Sequence, residues 1–251
     1  MQTILKKILK FFIPGSILKL RSTYLSTRLS LKPIAKRTCN ICNFEGWFDR
    51  FGIPPRLDAQ CPKCASLERH RLLMLTLSKN SINLDINEKT DHVLHFAAEP
   101  ILEKIFRKKY KNYKTADLYN NADLKLNLEE MTLPNDTYKL IIANHVLEHV
   151  NNDKKAASEL SRILTKDGIL IVMVPIIEGW NKTYENPQIT SDEERTIHFG
   201  QRDHVRCYGR DFRERIKSGG LKLAYEITAE GQNVINFGLL RGEKVFVFTK
   251  S

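Results

Sequence analysis

No run of apolar residues in this 251-residue chain approaches the roughly 18 that a helix needs to cross a bilayer, so no transmembrane segment is expected. Cysteine is scarce. Four of the five fall into two C-x-x-C pairs and Cys207 stands alone, which suits metal binding in a reducing cytoplasm better than the disulfide framework of a secreted protein. Acidic residues are missing from the first 38 positions, where nine Lys and Arg sit. The formal charge of +11 therefore belongs largely to an arm, because the remaining 213 residues carry 31 basic and 29 acidic side chains. A body so close to neutrality lacks the broad positive surface of a nucleic-acid binder. At 42% hydrophobic, the chain can hold one full α/β domain and a small accessory module.

Residues 138–177 carry the clearest pattern. Leu140, Ile141, Ile142 and Ala143 form an apolar run too short for a helix, and Ile169 to Val174 is a second, bounded by Asp167-Gly168 and Pro175. Between them Ala156, Ala157, Leu160, Ile163 and Leu164 recur at helical spacing from Asn152, with Asp167-Gly168 as the expected stop. Two buried strands joined by a crossover helix imply a parallel sheet, whose ligands bind beyond the carboxyl ends of the strands. One such end holds Asn144, His145, Glu148 and His149.

The second signal is Cys39-x2-Cys42, eighteen residues, then Cys61-x2-Cys64. This is zinc spacing, with two short knuckles presenting four thiolates tetrahedrally. Four protein ligands leave no place for water or substrate, so the ion is expected to be structural and to fold a module too small to build its own core. Trp47, Phe48, Phe51 and Pro54-Pro55 are expected to pack it. Ser66 is placed to cap the following helix, with Leu67, Leu72, Leu73 and Leu75 inward. Arg69, His70 and Arg71 read as a solvated face rather than a polyanion contact.

Ahead of the ribbon, residues 2–13 set Ile4, Leu5, Ile8, Leu9 and Phe12 on one helical face and Lys6, Lys7 and Lys10 on another, up to the Pro14-Gly15 break. Such an arm can make peripheral contact with an anionic membrane face, dock on its own domain, or meet a second subunit. A secretory signal is disfavoured by the interrupting lysines and the want of a cleavage site. The reading divides the chain into an arm (1–37), a ribbon (38–66) and an α/β domain (67–251).

Ordered together, the strand before His145, HVLEHV at 145–150, ELSRIL at 159–164, the Asp167-Gly168 turn and Val174-Pro175 resemble the S-adenosylmethionine-dependent methyltransferases of Rossmann-like fold, type 11. With the downstream segments the resemblance covers about two thirds of the chain, and within that family it is nearest a subgroup with an N-terminal four-cysteine zinc ribbon. It implies a mostly parallel sheet whose last strand, KVFVFTK, is antiparallel. The glycine-rich cofactor loop of most such enzymes is missing, and His95-Phe96-Ala97-Ala98-Glu99-Pro100 stands in its place. Alanines still permit close approach, and a sulfonium cofactor brings no phosphate to cradle. The resemblance assigns S-adenosylmethionine to His95, Phe96, Ala97, Glu99, Asn144, Asp117 with Leu118 at the ribose, and Asn127 with Leu128 at the adenine.

It also bears on HxxEH. His145, Glu148 and His149, if on one helical turn, are similar to the ExxEH of metal-dependent O-methyltransferases, which makes a divalent ion there one alternative. An inverted zinc-protease motif is discounted because the surrounding unit is a methyltransferase strand. The favoured reading is structural, with the histidines capping a helix or lining the pocket. After Pro175 a long polar and aromatic segment resembles the subgroup's ER...FGQ.DHVR.YG, where an acceptor enters. His149, Arg195, Asp203, Arg206 and Tyr208 are its candidate contacts, and His145, His198 and His204 the candidate bases.

The function expected is methyl transfer from S-adenosylmethionine, by O-methylation of a small or glycosidic acceptor in a surface-polysaccharide pathway. A cytoplasmic enzyme, held at the inner membrane face if the arm engages it, is the expected setting. Methylation of ribosomal or transfer RNA, gripped by ribbon and arm, is one alternative. Against it, no NPPY-type loop is present and Cys207 lacks the Pro-Cys context of cytosine C5 enzymes. A non-catalytic binding subunit, which the glycine-free loop permits, is the other.

Overall fold

The computed structural model describes residues 34–250 apart from 53, 79–81 and 83, together with Ile17, Leu20 and Tyr24. The amphipathic stretch at 2–13 lies outside the described residues. Four short strands open the described chain: β1 (Lys36–Thr38) pairs with β2 (Glu45–Trp47), and β3 (Asp49–Phe51) with β4 (Arg56–Gln60), both antiparallel. Helix α1 (Glu68–Thr76) leads from this ribbon into the α/β unit.

There the order is β5 (His92–Phe96), α2 (Pro100–Lys109), β6 (Asn112–Asp117), β7 (Leu124–Lys125), β8 (Tyr138–Asn144), α3 (Asp153–Ile163) and β9 (Leu164–Met173). The segment that follows holds β10 (Tyr184–Glu185), α4 (Asp192–Phe199) and β11 (Arg206–Cys207). Then come α5 (Phe212–Lys217), β12 (Leu221–Thr228), α6 (Gly231–Phe237) and β13 (Lys244–Lys250). The seven-stranded sheet runs β12-β13-β9-β8-β5-β6-β7. Strands β5 to β9 pair in parallel, and β13 is antiparallel to both of its neighbours, as expected for the last strand.

Alternation along each strand sorts the core into two layers. Leu94, Phe96, Ile141, Ala143, Leu170, Val172, Phe246 and Phe248 meet Ala156, Ala157, Leu160 and Ile163 of α3 and Phe212 and Ile216 of α5. Their neighbours Val93, Leu140, Ile142, Ile171, Val245 and Val247 meet Leu72 and Leu73 of α1 and Leu102 and Phe106 of α2. A register slip of one residue would exchange the two sets and set each against the wrong helices, and at about 1–3 kcal/mol for each side chain forced into a misfitting layer that error is prohibitive. Local signals agree with the packing. Asn152 caps α3 by accepting from the Lys155 amide at 2.9 Å, Pro100 opens α2, and Arg107, Lys108 and Lys109 close it. Helix α3 stops at Ile163, before the expected Asp167-Gly168 turn, because β9 begins at once at Leu164.

The ribbon is bound to the α/β unit by a side chain that was expected in solvent. Arg71 is wholly buried, and its guanidinium donates to the carbonyls of Ala59 (2.9 Å) and Ser66 (2.6 Å) on one side and Phe237 (2.6 Å) and Gly238 (2.8 Å) on the other. Five fixed donors suit such a ring of acceptors, and the Phe48 ring lies 4.7 Å away. Position 238 favours glycine, because φ is +56 and a Cβ there would meet the Asp58 carbonyl at 3.0 Å. Ser66 does not cap α1. Its hydroxyl lies 3.3 Å from the sulfurs of Cys39 and Cys64, and the ring of His70 takes the Leu67 amide instead.

Candidate active site

Strand register brings the first group of candidates to one edge. Phe96 pairs with Ala116 on one side and Ala143 on the other, so Ala97, Asp117 and Asn144 occupy the next row together. Ala97 turns the chain at φ +46 and donates its amide to the Ala116 carbonyl at 2.9 Å. From there the loop passes through Glu99 into α2. Glu99 is gripped by α1: Arg69 Nε is 3.2 Å and His70 Nε2 3.3 Å from Oε1, with His95 Nε2 3.7 Å from Oε2. Burial opposes its charge, but His70 and His95 outweigh that cost and hold the carboxyl well below its ordinary range. Two buried acceptors at this edge lack any hydrogen-bond partner, Glu99 Oε2 and Asn144 Oδ1. An ionised carboxylate and an amide oxygen left without partners beside strand ends are a fit for the α-ammonium of S-adenosylmethionine.

Asp117 ends β6 as expected. One oxygen accepts from the amides of Tyr119 (2.8 Å) and Asn120 (2.7 Å), while Oδ2 has only the Asn120 side chain at 3.2 Å and keeps capacity for a ribose hydroxyl. Burial pushes its pKa upward, and the amides of Asn120 and Tyr119 more than reverse this. Leu118 follows directly. Asn127 is exposed and closes a turn by accepting from the Glu129 amide at 3.0 Å. Leu128 is buried in the core, which removes its side chain from any pocket. His95 faces the α2 side of the sheet, bonded to the Tyr113 hydroxyl at 2.9 Å, so its ring supports Glu99. Phe96 lies in the opposite core layer.

Beyond Asn144 the chain forms a turn, and the expected helical face of HxxEH does not exist. His145 takes φ +52, donates its amide to the Met173 carbonyl at 2.7 Å and swings its ring between Glu148 (Nδ1 to Oε1, 3.3 Å) and Glu243 (Nε2 to Oε1, 3.9 Å). Burial disfavours a charge on this ring, yet the Glu148 carboxylate prevails and raises its pKa. Glu243, from the loop before β13, is pushed up to about 7, by burial first and Glu68 next, against the pull of His145. Sequence reasoning missed Glu243 because nothing local marks a loop glutamate that crosses to another strand end.

The residue that joins Glu148 and His149 is His204, 55 positions later. Its ring stands edge-on to that of His149 with centroids 4.7 Å apart, and burial lowers its pKa. Asp203 is exposed and accepts from His149 Nδ1 through its carbonyl at 3.1 Å. His198 is elsewhere: it is exposed on α4 with Nδ1 2.8 Å from the Tyr184 hydroxyl. Two expected acceptor contacts are structural. Arg206, 3% exposed, donates to Glu185 and to the carbonyls of Leu147, Val150 and Asn151, so it clamps the turn after β8. Tyr208 is wholly buried, with its hydroxyl 2.9 Å from the Leu147 carbonyl and 3.1 Å from Asp153. Arg195 borders an outer groove of about 610 Å³ with Lys154, Asn186 and Thr190, beside α3 rather than over the strand ends.

At the front, all four ribbon cysteines converge. Cys39 and Cys64 have their sulfurs 3.6 Å apart, as do Cys42 and Cys61. Bonds of about 2.3 Å to a tetrahedral zinc place sulfurs about 3.8 Å apart, so the cluster fits that ion, and it is too open for disulfides.

Residues 68–172, from α1 to β9, match the family model Methyltransf_11, described as a methyltransferase domain. The chain is an S-adenosylmethionine-dependent methyltransferase. Similar solved structures include a chain of the complex between the Haloferax volcanii Trm112 methyltransferase activator and a methyltransferase (TM-score 0.50, 11% identity, 73% of this chain and 88% of that one). Another is the [4+2]-cyclase SpnF (TM-score 0.50, 11% identity, 76% of this chain and 86% of that one). Identities so low speak to the fold alone, and a cyclase among them illustrates that chemistry is set by the site. No curated protein matches the chain. Among the described residues of the methyltransferase, no helix is long and apolar enough to cross a membrane.

Proposed function

We propose that this methyltransferase acts on a hydroxyl of a small or glycosidic acceptor of the surface-polysaccharide kind, and that its four cysteines hold a structural zinc. The observation that carries the acceptor reading is the gathering of His145, Glu148, His149 and His204 beyond β8, next to the row formed by Ala97, Asp117 and Asn144. When bound, S-adenosylmethionine supplies a methyl carbon already activated by its sulfonium. Glu99 and Asn144 hold the amino-acid end, Asp117 the ribose, and Asn127 with the Leu128 backbone the adenine edge. A hydroxyl must shed its proton as the C–O bond forms, and His145 is built for that step, with Glu148 beside it to steady the imidazolium. Most of the rate comes from holding acceptor and donor in line in a site sheltered from water.

The near-neutral composition outside the arm supports a small acceptor over RNA. The same proposal gives residues 2–13 peripheral contact with an anionic membrane face. Incubation with methyl-labelled donor and cell fractions is expected to label a carbohydrate-containing fraction at a rate insensitive to salt. Deleting residues 2–13, which spares β1, is expected to lower membrane recovery and leave that rate unchanged. Label appearing in RNA, with a steep salt dependence, would overturn the proposal.

A further inference from the structure

We infer that Glu148, His149 and His204 form a binding site for a divalent transition-metal ion on the acceptor side of the donor pocket, separate from the four-cysteine centre. This deepens the hydroxyl-acceptor reading and rests on it. Glu148 is 1% exposed, and neither of its carboxylate oxygens has a hydrogen-bond partner. A buried carboxylate without donors is costly, and one histidine at 3.3 Å covers only one of its two oxygens. A cation on the other side resolves the deficit.

The neighbouring groups are arranged as ligands. One donor atom from each of the three residues lies within 4.8 Å of the others. Metal bonds of about 2.0–2.2 Å at tetrahedral angles set ligand atoms roughly 3.3–3.6 Å apart, so side-chain shifts of about an ångström close the set. His149 points its Nδ1 at the Asp203 carbonyl, 3.1 Å away. A carbonyl only accepts, so Nδ1 carries the proton and Nε2 keeps its lone pair for a metal. The loop that brings His204 is tied to the turn it must meet, because the Val205 amide donates to the Glu148 carbonyl at 3.0 Å.

Two imidazoles and a carboxylate favour zinc, manganese or ferrous iron over magnesium or calcium, which take oxygen ligands. Three protein ligands leave positions open for the acceptor oxygen. There the ion would act as a Lewis acid: the hydroxyl gives its proton to His145, the C–O bond forms, the C–S bond of the donor breaks, and the metal keeps its oxidation state.

The test uses the full-length protein with its ribbon loaded with zinc, titrated with cobalt(II). One further equivalent per chain is expected, with ligand-field bands and no thiolate charge-transfer band. His204→Ala and Glu148→Gln are each expected to weaken that equivalent by at least about a hundredfold. Calorimetry with S-adenosylmethionine on the same samples checks that the variants fold. No further equivalent in the wild type, or an equal one in a folded His204→Ala protein, would overturn the inference and leave the methyltransferase reading intact. Cobalt binding at the predicted residues, together with methylation of a nitrogen acceptor, would keep the metal site and overturn the hydroxyl reading.

Discussion

Replacing Arg71 by Met keeps the apolar stem up to the guanidinium while deleting every donor of the ribbon's main tether. Four carbonyls lose a partner, but Ser66 keeps the Cys61 amide at 3.0 Å, which leaves Ala59, Phe237 and Gly238 deprived of this donor. At about 1.3 kcal/mol for each of the three orphaned buried acceptors the loss is roughly 4 kcal/mol. Relief from desolvating the guanidinium, whose pKa burial already lowers, returns part of it. The net is about 3 kcal/mol, or roughly 10 °C in Tm for a chain of this size. Urea and thermal unfolding followed by circular dichroism measure it, and zinc release to a chelator is expected to quicken. Arg71→Lys should fare little better, because an ammonium is a point charge and cannot span a ring of acceptors. A change below about 1 kcal/mol in Arg71→Met, with zinc release at the wild-type rate, would refute the argument that this residue unites ribbon and sheet.

Acid stability has a defined source at Asp153. Burial opposes its charge, but Arg215 at 2.6 and 2.9 Å holds the carboxyl below its ordinary value, so the stabilisation is complete above the unfolded pKa near 4 and is lost as pH falls through the lower folded value. Asp153→Asn should flatten that acid limb in a plot of unfolding free energy against pH while lowering stability at pH 7 by about 3 kcal/mol; an unchanged acid limb would contradict this. Chelation of the four-cysteine ion should unfold the ribbon and, through Arg71 and the Glu99 contacts of α1, weaken donor binding measured by calorimetry. Glu99→Gln, which loses the charge that Arg69, His70 and His95 surround, should weaken donor binding by about tenfold in the same assay with zinc retained.

Much of this architecture could be read from local pattern. The apolar runs at 140–143 and 169–174 with their crossover helix, the four cysteines and the strand-end placement of Asp117 are short-range features, and the fold keeps them. What escaped depends on contacts between distant segments. Arg71 reads as a solvated charge because its four acceptors come from β4, the turn before α1 and the C-terminal end of α6. Arg206 and Tyr208 look like pocket residues for the same reason, since the backbone they clamp is more than fifty positions away. HxxEH has helical spacing, but His145 at positive φ breaks the period and sends its ring to Glu243. His204 joins Glu148 only through the fold. Helix α6 carries no buried residue, so no apolar stripe announces it.

The account rests on a donor pocket at the row shared by Ala97, Asp117 and Asn144, and titration of Asp117→Ala with S-adenosylmethionine tests it most directly. Removing a carboxylate that bonds the ribose should weaken binding by about ten- to a hundredfold at unchanged Tm, within error of the wild type. Equal affinity in the folded variant would place the donor elsewhere on the protein.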